Sequence, residues 1–270
     1  MDKKTYIDIF NDTLRESRTQ YKEDTEDLVI RNTKVYAIDS IDKSETAYLV
    51  EYNTKFRQVH MCSTEAAHMN FSDRIAVVNF TDMQNTEECL HVNEITEEGK
   101  LFLVSNLYQS LISEDVQEDF YGWNLKVRET KGGLGQMFHL LYSKDVLFFK
   151  EIDYMPLDRP TYYDVITAAI PLRCQSEEVV IEYLDAIFRL GIQHNIEDLI
   201  FGMSALSSSE IKWKFIDRCF NQLVLKYKKS PIKNVIFAFE DDSFRMSNPD
   251  VECDYKIRKV GIIEHWKNKR

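Results

Sequence analysis

Residues 75–80 read Ile-Ala-Val-Val-Asn-Phe, and Asn79 is the one polar residue among them. A strand with one solvated face alternates apolar and polar residues, whereas a strand covered on both faces is apolar almost throughout. This stretch is therefore predicted to be a strand in the middle of a sheet that carries helices on both sides.

Further apolar runs predict the rest of the sheet and its helices. Strands are predicted at residues 35–38, 47–52, 57–62, 145–149, 164–168, 198–201 and 234–239. Helical periodicity predicts helices at residues 3–17, 97–111, 177–190 and 209–227, with a further helix start at Ser63. Residues 112–137 are polar and are predicted to be irregular. Buried strands that alternate with helices indicate an α/β fold with a mixed, mainly parallel sheet.

The charge of the chain argues against general nucleic-acid binding. Its 34 Lys and Arg residues are outnumbered by 45 Asp and Glu residues, which gives a net charge of −11. Such a surface repels a phosphate backbone. The basic cluster at residues 226–233 is interpreted as a solvated helix end, the alternative being a local basic patch.

Cysteine usage and hydropathy bear on the compartment. The five cysteines are odd in number, widely spaced and without a Cys-x-x-Cys motif, which favours free thiols in a reducing compartment. No stretch approaches the roughly 20 apolar residues that a membrane span needs. We therefore expect a cytoplasmic protein that does not cross a membrane.

Metal and cofactor motifs are weak. His60 with Cys62, and Cys89 with His91, each offer two metal ligands where a site needs more. The glycine-rich stretch 131–136 lacks the spacing of a P-loop and is interpreted as a surface loop, the alternative being a replacement phosphate loop. We predict neither a metal nor a cofactor.

The order of several motifs resembles one family, the microbial-type poly(ADP-ribose) glycohydrolases of the macro-domain superfamily. The motifs that carry the resemblance are Val78-Asn79-Phe80, Leu107-Tyr108-Gln109-Ser110-Leu111, residues 142–150, residues 164–171, Ile200-Phe201-Gly202 and residues 234–239. The resemblance implies a three-layer α/β/α macro-like domain over residues 1–241 with an N-terminal helical and strand extension. Residues 242–270 would form a polar tail packed on the domain or extending from it.

The resemblance also implies a crevice for ADP-ribose at the carboxyl ends of the strands, where two glycine-rich loops hold the pyrophosphate. In this chain the first loop reads Thr86-Glu-Glu-Cys89 where the family has Pro-Gly-Gly-Gly. Glu87 and Glu88 would repel a phosphate by ~1 kcal/mol at 4 Å in water, and by more at a partly buried site. The second loop, Ser204–Ser208, lacks glycine but retains hydroxyl groups.

The family's Gln-Glu-Glu triplet, whose last Glu handles the proton in glycosidic-bond cleavage, corresponds here to Glu97-Glu98-Gly99. Gly99 has no side chain that could donate a proton. Glu98 and Glu97 are the candidate catalytic residues, and the alternative is that they are favourable charges at a helix N-terminus. Asn79, Thr81, Ser204, Ser207 and Ser208 are the candidate ligand residues.

Three hypotheses follow. The first is a catalytically inactive module that binds ADP-ribose or another NAD-derived nucleotide. The second is a protein-interaction or structural protein that kept the fold and lost the ligand. The third is a divergent ADP-ribosyl hydrolase that uses Glu98 or Glu88.

Overall fold

An eight-stranded sheet forms the centre of the protein. The computed structural model describes residues 3–21, 28–43, 50–69, 72–81, 95–129, 138–169, 176–207, 213–241 and 243–254. The strands are β1 (Thr33–Ala37), β2 (Tyr52–Asn53), β3 (Lys55–Val59), β4 (Ile75–Thr81), β5 (His139–Lys150), β6 (Pro156–Ala169), β7 (Asp198–Gly202), β8 (Lys229–Ser230), β9 (Asn234–Ala238) and β10 (Val251–Asp254).

The sheet has the order β1-β5-β6-β4-β7-β9-β3-β10, while β2 and β8 form a small separate sheet. The pairs β1–β5 and β5–β6 are antiparallel. The pairs β6–β4, β4–β7, β7–β9, β9–β3 and β3–β10 are parallel. The prediction of a mixed, mainly parallel sheet is confirmed.

Helices cover both faces of the sheet. The helices are α1 (Lys3–Thr19), α2 (Ser63–Met69), α3 (Glu97–Val104), α4 (Leu107–Leu111), α5 (Glu114–Val116), α6 (Trp123–Glu129), α7 (Glu177–Gln193), α8 (Ser204–Ser207) and α9 (Trp213–Lys226). Helices α2 and α3 lie against β4, and α1 packs on α3. On the other face, Phe188 of α7 and Phe220 of α9 contact Phe201, with ring centroids 5.4 and 5.3 Å apart. The predicted α/β/α architecture is confirmed.

Strand β4 is the predicted central strand, and every one of its residues is buried. Successive side chains point to opposite faces of a sheet. Phe80 stacks on Phe201 beneath α7 and α9, at 6.3 Å between centroids. Asn79 and Thr81 point to the opposite face, where both contact the first turn of α3. The alternation therefore places two polar side chains beneath a helix start at the carboxyl end of β4.

One edge of the sheet comes from the segment beyond residue 241. Val251–Asp254 runs parallel to β3, with Val251 opposite Phe56 and Asp254 opposite Val59. Val251 is buried at 7% exposure. The sheet therefore extends past residue 241 into the part that the sequence interpretation assigns to a polar tail.

The single helix predicted at residues 97–111 is wrong, because the chain leaves the helix at Ser105 and Asn106 to bond to strand β5. The Asn106 backbone N–H donates to the Leu147 carbonyl at 3.1 Å, and Asn106 Oδ1 accepts from the Leu147 N–H at 2.9 Å. The Ser105 hydroxyl donates to the Leu101 carbonyl at 2.7 Å and accepts from the Leu107 N–H at 3.2 Å, so it satisfies backbone groups that a continuous helix would have paired internally.

The irregular segment predicted at residues 112–137 is also wrong up to residue 129. Helix α5, the π-helical turn Gln117–Gly122 and α6 follow one another there. Buried Val116, Phe120 and Val127 recur at helical spacing, and acidic residues between them make the segment look polar. Strands β5 and β6 are longer than predicted. Residues 139–144 extend β5, where they pair with β1 and with the end of β6, and residues 156–163 extend β6 from the hairpin that joins the two strands.

Among the helices of the described segments, none is both long and apolar enough to span a lipid bilayer. Of the predicted elements, the first part of the strand at residues 47–52 and the start of the helix at residues 209–227 lie outside the described residues.

Candidate functional site

The candidate site lies where the carboxyl ends of β4 and β7 meet the N-termini of α2 and α3. Crevices at the carboxyl ends of parallel strands are where open α/β sheets bind ligands. Thr96 caps α3, since its Oγ1 accepts a hydrogen bond from the Gly99 N–H at 3.1 Å. This cap begins the helix at Glu97 and turns the first two side chains of α3 toward the sheet.

Glu98 is held in one orientation by the polar end of β4. Asn79 Nδ2 donates to Glu98 Oε1 at 3.0 Å, and Thr81 Oγ1 donates to Glu98 Oε2 at 3.1 Å. Glu98 is 6% exposed. The two strand residues predicted to line the ligand crevice therefore also fix one of the two candidate catalytic carboxyl groups.

Glu97 is held by the start of α2. Its Oε1 accepts from the Ser63 backbone N–H at 2.8 Å and from the Ser63 hydroxyl. Glu97 is 4% exposed. Burial, reinforced by the charge of Glu240, raises the pKa of Glu97, whereas the Ser63 donors and the Lys100 ammonium oppose the rise.

Gly202, the last residue of β7, leaves room for Glu97. A Cβ atom on Gly202 would lie 3.0 Å from Glu97 Cγ and 3.1 Å from Glu97 Oε1. These distances are shorter than ordinary van der Waals contact. The position of Glu97 therefore depends on a residue without a side chain at the end of the neighbouring strand.

A second polar cluster borders Glu97. Lys100 Nζ pairs with Glu240 Oε1, and Ser204 Oγ donates to Glu240 Oε2 at 3.3 Å. Burial alone would lower the pKa of Lys100, but the hydrogen bond and charge of Glu240 outweigh it and the net shift is upward. Burial raises the pKa of Cys62 to about 12, which disfavours its thiolate form near neutral pH.

Two buried oxygen atoms of the site have no hydrogen-bond partner in the described structure. They are Asn79 Oδ1 and Glu97 Oε2. A buried polar atom without a partner costs about 1–3 kcal/mol, and native proteins leave few of them. Their presence beside the fixed Glu98 carboxyl group is the feature of this site that packing alone does not explain.

The structure brings together four of the predicted site residues: Glu97, Glu98, Asn79 and Thr81. Both glutamates are buried in the first turn of α3, the position at which the alternative interpretation places favourable charge at a helix N-terminus. Ser204 contacts Glu240. Ser208, Glu87, Glu88, Cys89, His91, the 131–136 stretch and the side chain of Ser207 lie outside the described residues.

Sequence reasoning missed four residues of the site: Ser63, Lys100, Gly202 and Glu240. The helix start at Ser63 and the strand that ends at Gly202 are both visible in the sequence, but their contact with Glu97 is not. Lys100 and Glu240 are 140 positions apart and carry no local signal for their pairing.

An open groove of about 440 Å³ lies at the opposite, amino ends of the strands. Its lining residues are Lys55, Arg57, Ser72, Asp73, Glu197, Asp198, Lys233 and Asn234. Lys233 pairs with Glu197 at 2.7 Å, and Asn234 Nδ2 donates to Asp198 at 2.6 Å. Within the described residues, no cluster of His, Cys, Asp and Glu side chains is arranged to hold a metal ion.

Solved structures of bacterial glycohydrolases have the same fold. Poly(ADP-ribose) glycohydrolase (PARG) from Thermomonospora curvata superposes with a TM-score of 0.70 at 16% identity, covering 89% of this chain and 95% of that chain. The same protein bound to the inhibitor ADP-HPD gives 0.68 at 16% identity, with coverage of 89% and 95%. PARG from Deinococcus radiodurans in complex with ADP-ribose gives 0.66 at 18% identity, covering 79% of this chain and 90% of that one.

Sequence comparison gives the family. No curated protein matches the sequence. Residues 9–151, more than half of the chain, match the family model described as "Microbial-type PARG, catalytic domain". This span contains Asn79, Thr81, Glu97 and Glu98. The chain therefore belongs to the microbial-type PARG family.

Proposed function

We propose that this protein binds ADP-ribose at the carboxyl ends of β4 and β7 and does not cleave glycosidic bonds. The observation that carries the proposal is the unmet hydrogen-bonding capacity of buried Asn79 Oδ1 and Glu97 Oε2 beside the fixed Glu98 carboxyl group. The ribose hydroxyls of ADP-ribose are donors and acceptors of the kind that such oxygens bind. The complex of the Deinococcus radiodurans PARG with ADP-ribose supports this choice of ligand.

The burial of two adjacent glutamates supports a retained ligand site over a purely structural role. Moving a carboxyl group out of water is costly unless it is well hydrogen-bonded, and apolar residues of similar size would pack the same space at lower cost. The presence of both Glu97 and Glu98 at this position therefore favours a ligand site over a role in packing alone.

The proposed lack of catalysis follows from Gly99, which has no side chain at the position that carries the catalytic glutamate in the family resemblance. A general acid typically contributes 10²–10⁴-fold to the rate, so its loss leaves little turnover. The carboxyl groups of the two preceding residues are already bonded, Glu97 to Ser63 and Glu98 to Asn79 and Thr81.

The test is the binding of ADP-ribose by calorimetry and by thermal unfolding. At a ligand concentration 100 times Kd, binding to the native state adds about 2.7 kcal/mol of stability. We expect saturable stabilisation by ADP-ribose and a smaller effect of ribose 5-phosphate at the same concentration. No heat and no change in melting temperature with ADP-ribose would favour an interaction protein that has lost its ligand.

Two asparagine variants separate the site from the rest of the sheet. Asn79→Ala removes the unpaired Oδ1 and one of the groups that orient Glu98, so we expect Kd to rise at least tenfold, or about 1.4 kcal/mol. Asn234→Ala is the control, because Asn234 also hydrogen-bonds a buried carboxyl group but lies at the amino ends of the strands. Equal losses of affinity in the two variants would contradict the assigned site.

A divergent ADP-ribosyl hydrolase is the second candidate, because Glu98 is oriented by two neutral donors as an acid or base would need to be. Release of ADP-ribose from a poly(ADP-ribosyl)ated protein, lost in Glu98→Gln, would establish it. Absence of product at high protein concentration would leave the binding module as the function.

A further inference from the structure

We propose that Glu97 stands in the folded protein as an uncharged carboxylic acid, accepting hydrogen bonds through Oε1 and offering the Oε2 hydroxyl as a donor to the bound nucleotide. The inference rests on the proposed binding function where it concerns the ligand. It gives Glu97 a role in positioning the ligand and in setting how binding depends on pH.

The two oxygens of Glu97 have different surroundings. Oε1 accepts from the Ser63 N–H at 2.8 Å and from the Ser63 hydroxyl, as the carbonyl oxygen of an acid or an amide would. Oε2 is buried and has no partner in the described structure. An ionised carboxylate would spread its charge over both oxygens and leave one of them buried without a donor, which is costly.

The charged neighbours of Glu97 also disfavour its ionisation. Glu240 lies close enough to raise the pKa of Glu97, and Lys100, whose charge opposes that rise, is paired with Glu240. Cys62 at the start of α2 is a thiol whose pKa burial raises, so it is neutral and supplies no positive charge. Glu98, the adjacent residue in α3, is bonded to Asn79 and Thr81 and supplies no positive charge. Gly202 and Ser204, which lie against this cluster from β7 and α8, are uncharged.

The uncharged acid has a consequence for the ligand. ADP-ribose carries a negatively charged pyrophosphate and many oxygen acceptors, which a hydroxyl donor attracts and a buried carboxylate repels. Binding should therefore weaken as pH rises through the folded-state pKa of Glu97. Glutamine offers the same acceptor and donor in the same shape without a proton to lose.

The experiment compares wild type with Glu97→Gln for ADP-ribose binding from pH 6 to 9. We expect Glu97→Gln to bind within threefold of wild type at pH 6 and to keep its affinity at pH 9, where wild type binds more weakly. A loss of more than tenfold in Glu97→Gln at pH 6, with wild type binding normally, would overturn the inference and leave the proposed function standing. If wild type binds no ADP-ribose at any pH, the proposed function is refuted, but the protonation state proposed for Glu97 is not.

The protonation of Glu97 is tested without ligand by thermal unfolding of the same two proteins. A group whose pKa is raised by folding contributes stability that is lost as pH rises from its unfolded pKa to its folded pKa. Glu97→Gln should therefore have a higher melting temperature than wild type. The difference should grow as pH rises between the unfolded-state and folded-state pKa values of Glu97. A lower melting temperature for Glu97→Gln at neutral pH would mean that an ionised Glu97 stabilises the fold, and it would overturn the inference.

A matched control makes the same chemical change at the surface. Glu182 pairs with Lys43 at 2.7 Å and its side chain is 39% exposed. Glu182→Gln should lower the melting temperature slightly, with no gain that grows toward high pH. In the infrared spectrum, the carbonyl band of a protonated carboxyl group should disappear in Glu97→Gln and remain in Glu182→Gln.

Discussion

Asp185→Ala is expected to lower the free energy of unfolding by about 3–5 kcal/mol, the range found when one partner of a buried ion pair is removed. Asp185 Oδ2 accepts from Arg189 Nε at 2.9 Å, and both side chains are no more than 9% exposed. Its other oxygen accepts from Lys226 at 2.7 Å and from the Tyr227 hydroxyl at 2.8 Å. The substitution would leave the buried Arg189 guanidinium with only the more distant Glu182 carboxylate and two backbone carbonyls as partners.

Denaturant unfolding with matched variants measures this effect. Asp12→Ala breaks the exposed pair with Arg15, whose side chains are 52% and 69% exposed, and such a pair is worth about 0–1 kcal/mol. The double variant Asp185→Leu with Arg189→Met should recover much of the loss, since apolar residues of similar volume often replace a buried pair without cost. If Asp185→Ala is no less stable than Asp12→Ala, the pair is not a stabilising feature of the fold.

The Asp185–Arg189 pair also marks the limit of what the sequence predicts about the fold. The apolar strands and the amphipathic helix at residues 177–190 are predictable, because burial imposes a periodic pattern on the residues themselves. Charged residues in the same helix look solvent-exposed in that pattern. Arg189 can be buried because its guanidinium donates hydrogen bonds to Asp185 and to the Ile41 carbonyl. Ile41 lies 148 positions away in the sequence, so local sequence does not reveal this contact.

The breaks in regular structure have the same origin. The helix ends at Ser105 and Asn106 because Asn106 hydrogen-bonds Leu147 of strand β5. The residues near position 105 contain no signal that predicts this contact. The helical stretch at 114–129 is difficult to predict from the sequence, because acidic residues separate its buried apolar positions. Local composition predicts such elements poorly where a distant partner decides the backbone path.

The candidate site divides in a similar way. Motif order identifies the Glu97-Glu98-Gly99 triplet and the Asn79 strand, because a family resemblance preserves order and spacing along the chain. The contact between Glu97 and Ser63, and the need for Gly202 beside it, join segments that are far apart in sequence. These contacts are what determine whether Glu97 is a surface charge or a buried acid.

Gly202→Ala is expected to destabilise the protein by about 1–3 kcal/mol, the usual cost of overfilling a packed interior. Gly202 lies in a regular strand pair with Ala238 opposite, so the constraint is space and not backbone conformation. A new Cβ at 3.0 Å from Glu97 Cγ forces the Glu97 side chain to move, and the hydrogen bonds from Ser63 resist that movement. The displaced acid should also weaken ADP-ribose binding at least tenfold.

Gly191→Ala is the matched control for this substitution. A Cβ on Gly191 would meet Ile196 and Leu199 at 3.8 Å, which is ordinary contact, and alanine favours a helix over glycine by up to about 1 kcal/mol. We therefore expect denaturant unfolding to place Gly191→Ala at or above wild type and Gly202→Ala below it, with ADP-ribose affinity changed only in the second. Equal stability and equal affinity in the two variants would mean that Glu97 is free to shift, and that neither Gly202 nor Ser63 fixes the position of the acid.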